Sequence, residues 1–75
     1  MFHYLEFHVD FLIDLEIAPG NWLERMLIRQ GTRLAAQVKP YVVDTAEGPV
    51  EVADLFFEDG TASRRVPFAF FSFTD

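Results

Sequence analysis

Glu6, His8 and Asp10 are the residues of this 75-residue chain whose types and spacing best suit chemistry. They stand two apart, so on a strand they share one face at a backbone spacing of about 6–7 Å. A His flanked by carboxylates can hold a metal ion or move a proton. His3 lies nearby, close to a terminus of the kind that frays. The competing reading is a wet strand face that keeps the chain soluble. The sequence favours that reading, and no cofactor or metal is expected. If the chain is an enzyme, His8, Asp10 and Glu6 are its catalytic candidates.

Other chemistry is sparse. Ser63 and Ser72 lack a glycine elbow, and Lys39 is the sole lysine. Phosphate-loop, dinucleotide and calcium-loop motifs are absent from the sequence. With no cysteine there is no thiolate nucleophile and no disulfide staple. Arg25, Arg29 and Arg33 could line up as an anion-binding stripe, or lie on a solvated flank paired with nearby acids.

The element that must position the first group is the stretch from Leu5 to Ile17. Its odd positions (Leu5, Phe7, Val9, Phe11, Ile13, Leu15, Ile17) are all apolar, and its even positions are polar except Leu12. A period of two means a strand with one dry face. A straight strand of that length spans roughly 43 Å, whereas a compact domain of this size is roughly 30 Å across. The strand must therefore bend at a bulge or reach another chain.

After Ala18-Pro19-Gly20, Asn21 and Glu24 form a capping-box pattern. This predicts a helix from Trp22 to Gln30, with Gly31 as its C′ residue. Arg33–Val43 reads as a second strand, with Leu34, Ala36, Val38 and Val42 inward. Pro40 places it at an edge or a bulge. Val50–Glu58 and Thr61–Phe73 read as a hairpin about Asp59-Gly60. A two-residue turn puts Asp54 opposite Arg65 and Val52 opposite Pro67. Pro67 cannot donate there, so the register should fail near it. The expected fold is a single α+β domain over residues 1–75, one helix packed on a mostly antiparallel four-stranded sheet in the order β-α-β-β-β.

Composition bounds the function. Hydrophobic residues make up 51% of the chain, nine of them Phe. One short helix covers only one sheet face, while Val50, Val52, Phe71 and Phe73 make the other face apolar. A second copy is the simplest cover, with Trp22 and Tyr41 as further interface anchors. The net charge of −6 disfavours direct nucleic-acid binding and suits a basic partner. No apolar run reaches a membrane span, and no basic leader opens the chain, so the expected location is cytoplasmic with no membrane contact. The expected function is a small non-catalytic protein acting by association: a homo-oligomeric accessory or regulatory protein-binding module, with a dimer favoured. The alternatives are an acid–base isomerase or cyclase with its pocket at a subunit interface, and an acidic decoy that occupies a nucleic-acid-binding partner.

Overall fold

A computed structural model describes residues 1–18 and 20–75, with the side chains of all of these but Ala18, Trp22 and Leu23. The alternating stretch at the start is a strand, but a broken one. Strand β1 is His3–Phe7 and strand β2 is Phe11–Ala18, with the bend at His8–Asp10. The bend resolves the length conflict, since the longest dimension of the molecule is 33 Å. Backbone bonds pin it. Phe7 N–H donates to the Thr32 carbonyl (2.9 Å), Gly31 N–H to the Phe7 carbonyl (2.8 Å), and His8 N–H to the Phe70 carbonyl (2.8 Å).

The expected helix from Trp22 to Gln30 is not present. Asn21–Ile28 is strand β3, antiparallel to β2, and Arg33–Thr45 is strand β4, whose first residues pair with β1. Residues 3–18 and 21–36 thus form one long hairpin, kinked midway on both strands. A helix this short is marginal in water, whereas pairing gives β2 a neighbour along its whole length. The pairing also sets Asp14 opposite Arg25 and Leu12 opposite Leu27, matches of the kind that stabilise a ladder. Gly20, at φ +81°, makes the turn that returns the chain. The capping pattern at Asn21 and Glu24 is outweighed by this long pairing.

The remaining strands are β5 (Gly48–Phe57), β6 (Ala62–Pro67) and β7 (Phe71–Phe73), with a 3-10 turn at Phe68–Phe70. The class is therefore all-β, not α+β: a seven-stranded antiparallel sheet curled into a half-barrel. The sheet order is β3-β2-β6-β5-β4-β1-β7. β1 and β2 are joined by three residues, yet β6, β5 and β4 lie between them in the sheet. That is possible only if the sheet curls round until the two halves of the bent strand meet.

The curl accounts for the abundance of Phe. A flat sheet under one helix would leave an apolar face bare, whereas a curled sheet buries its inner face against itself. Leu5, Phe7, Ala53 and Leu55 are almost wholly inaccessible. Phe7 packs on Phe11 and Phe71 with ring centroids 5.4 and 5.8 Å apart, and Phe11 meets Phe70 at 5.0 Å. Phe71 is consequently in the core of its own chain, and Val52, on the opposite face between Tyr41 and Pro67, is buried as well, each 4% exposed.

Two further expectations are amended. On β4, Leu34, Ala36 and Val38 face inward, but beyond Pro40 the exposed residue is Val42, and Tyr41 is half-buried. Pairing of β4 with β1 ends at Ala36, and β6 reaches β5 only as far as Val52. The β4–β5 hairpin therefore projects past the half-barrel, and nothing among the described residues covers the inward side of its tip. At the β5–β6 hairpin, the pairs near the turn are Phe56–Ala62 and Leu55–Ser63, one residue off the two-residue-turn register. A bulge at Arg64 and Arg65 absorbs the difference, so Val52 does pair with Pro67. Past Pro67 the chain leaves β5 through the 3-10 turn and pairs with β1 instead.

Candidate functional site

The bulge assembles the best-built polar cluster of the molecule. Two residues, Arg64 and Arg65, stand opposite the single residue Asp54, and that geometry re-aims side chains. Arg65 takes φ +55°, a left-handed conformation uncommon for a non-glycine residue. Its N–H donates to Asp54 Oδ1 at 3.1 Å. Arg64 turns outward across the gap between β6 and β2. Its Nη1 reaches Asp54 Oδ2 at 2.9 Å and its Nε reaches Glu16 Oε1 at 2.6 Å. Tyr41 completes the set by donating its hydroxyl to Asp54 Oδ1 at 2.7 Å. The Arg64 guanidinium also lies over the Phe56 ring, 5.2 Å from its centroid.

Both carboxylates are buried, Glu16 at 5% and Asp54 at 8% exposed. Buried charges require partners, and here one guanidinium serves two of them. Burial pushes the Asp54 carboxyl upward, but the donors Tyr41, Arg64 and the Arg65 N–H outweigh it and hold the group below the ordinary carboxylate value. Burial and then the Asp54 hydrogen bond hold the Tyr41 hydroxyl above its ordinary value. The two acids hold Arg64 firmly charged.

The cluster is a clasp. β2 and β6 pair at one position, Glu16–Ala62, and the Arg64–Glu16 ion pair spans that same seam. Beyond it the strands part around a cleft of about 200 Å³, between Phe11, Leu12 and Asp14 on one side and Arg65, Pro67 and Phe70 on the other. Leu12 is 59% exposed and pairs across the ladder with Leu27, 44% exposed. An apolar band thus runs from the free edge of β3, over β2 and into the cleft. Its rim is polar: Arg25 Nε bonds Asp14 Oδ1 at 2.8 Å on one side, and Arg65 stands on the other.

The residues singled out from the sequence are dispersed. Glu6 accepts from Arg33 Nε at 2.9 Å, and Asp10 accepts from the Gln30 N–H at 2.6 Å. His8 is exposed in the bend and lines neither this cleft nor the larger cavity described below. Among the described residues no three His, Asp or Glu side chains converge as metal ligands would. Arg25 and Arg33 are each bound to an acid on a neighbouring strand, while Arg29 sits by the kink, so the three do not form a helical stripe. Of the interface candidates, Val50 and Phe73 are on the surface, Tyr41 belongs to the clasp, and Phe71 and Val52 are inside. The Trp22 side chain lies outside the described residues.

Sequence reasoning missed Glu16, Arg64 and the Leu12–Leu27 band. Leu12 was the one legible sign, as the single apolar residue on an otherwise polar face. No helix among the described residues is long and apolar enough to cross a membrane. No protein family, curated protein or solved structure matches this chain.

Proposed function

We propose that this protein is a non-catalytic module that works by association, a homo-oligomer with an accessory or regulatory protein-binding role. The supporting observation is the band from Leu27 through Leu12 into the β2–β6 cleft. It has an apolar centre and an Arg-bearing polar rim, the anatomy of a protein interface. Covering Leu12 and Leu27 with a partner contributes roughly 1.5–3 kcal/mol each before binding costs. Sedimentation equilibrium of the unmodified protein against a Leu12→Thr, Leu27→Thr double variant tests the proposal. Threonine keeps strand propensity, and both positions are on the surface, so the fold should persist. The expected result is a dimer or larger species that the double variant converts to a folded monomer. An unmodified chain that stays an 8.7 kDa monomer at high micromolar concentration would overturn it.

A further inference from the structure

The concave side of the half-barrel opens on an apolar cavity of about 270 Å³. Leu15, Met26, Leu34 and Phe57 wall it, and Glu58 and Asp59 stand at its lip. Glu24 pairs with Leu15 on β2 and so shares its face of the sheet. Two acids thus line the apolar pocket and a third, Glu24, stands on the same face beside its wall residue Leu15, with no cation among the described lining residues. One Asp59 oxygen accepts from both the N–H and the hydroxyl of Thr61. Glu24 and Glu58 have no ion-pair partner among the described residues.

The cavity is smaller than the roughly 300–1,000 Å³ of sites that take cofactors or drug-sized ligands. It suits one long side chain. We infer that it receives a lysine side chain from a basic segment of a partner protein. This rests on the association proposed above and names the chemistry of the partner. A lysine lays its aliphatic stem on apolar surface and keeps its ammonium at the polar edge, which is the arrangement of these walls and this lip. Lysine fits better than arginine because Glu24, on β3, and Glu58, in the turn that follows β5, offer separate acceptors to a compact charge, not a planar fork. The net charge of −6 draws a basic segment in from a distance.

Methyl NMR on the full chain tests the assignment, reading Met26 and Leu15. Three probes are used: a capped Gly-Lys-Gly-Lys-Gly peptide, the same peptide with norleucine for lysine, and free hexylammonium. The lysine peptide should shift both methyl signals saturably, and norleucine should bind about three- to tenfold more weakly, the effect of two exposed ion pairs. A Glu24→Gln, Glu58→Gln double variant should bring the lysine peptide down to the norleucine level, and added salt should do the same. Equal binding of the two peptides, or an unchanged double variant, would overturn the inference. Binding of hexylammonium without the lysine peptide would also overturn it, since the pocket would then serve a free amine. Loss of lysine-dependent shifts in a chain that still self-associates removes this inference and leaves the association standing. A monomer whose methyl signals respond to lysine does the reverse.

Discussion

Replacing Asp54 by Ala removes the acceptor for three donors at once: the Tyr41 hydroxyl, the Arg64 guanidinium and the Arg65 N–H. Hydrogen bonds to a charged group contribute about 1.5–3 kcal/mol each, so simple addition gives about 5–9 kcal/mol. That sum is too large, because Arg64 keeps Glu16 and is 35% exposed, and the half-buried Tyr41 hydroxyl can regain water. The surviving cost is about 2–4 kcal/mol, largely the stranded N–H of Arg65 and the loosened bulge. Against a total stability of roughly 5–10 kcal/mol this is severe, and the melting temperature should fall by roughly 10–30 °C. Urea denaturation as a function of pH checks the charge separately. The folded Asp54 carboxyl sits below its ordinary value of 3.8. Its contribution is therefore complete above that value and disappears as pH falls through the lower folded one. Asp54→Asn, with no charge to titrate, should lack that part of the acid slope. A loss below about 0.5 kcal/mol for Asp54→Ala, the range of an ordinary surface change, would refute the idea that Asp54 anchors the bulge. So would an acid slope identical in the Asn variant.

Two other substitutions probe the backbone around the clasp. Gly60 has φ +90°, and an added Cβ would meet nothing within 4 Å, so Gly60→Val should cost about 1–2 kcal/mol through conformation alone, measurable as a lower urea midpoint. Arg65 already bears positive φ, so Arg65→Gly should be neutral or stabilising by up to about 1 kcal/mol by calorimetry, as relieved strain offsets glycine's chain entropy; a clear loss would show that the Arg65 side chain matters more than its backbone.

What the sequence showed and what it hid follow one division. The period of two in Leu5–Ile17, the need for a bend and the Asp59-Gly60 turn are local signals, and each has a counterpart in the fold. Asn21 to Ile28 carried a local signal as well, a cap with apolar residues at helical spacing, but the pairing with β2 prevailed. That pairing runs the length of β2 and sets Leu12 opposite Leu27 and Asp14 opposite Arg25, matches that nothing within the segment reveals. The sheet's curl was equally hidden, and with it the reason why Phe71 needs no second chain to cover it. Glu16 read as one more solvated acid. Its partner Arg64 lies 48 residues along the chain, and only the bulge, itself a correction of the register by one residue, brings the two together. Glu6, His8 and Asp10 were legible as a set because they are neighbours in sequence, yet the bend gives each carboxylate a separate local duty.

The placement of β7 beside β1 has a consequence for how the molecule assembles in time. The hairpins β2–β3, β4–β5 and β5–β6 join residues close in sequence and can form within about 1–10 μs. The other junctions are remote: Glu16 must meet Ala62, and Leu5 must meet Phe73. Each such closure costs chain entropy before its contacts return anything, and sheets built on distant pairings fold in milliseconds to seconds. The half-barrel therefore shuts late, after its ribbons exist. During that interval the rings of Phe7, Phe11 and Phe71 remain in water with strand edges bare beside them, so the slow step of folding is also the moment when one chain is most apt to stick to another.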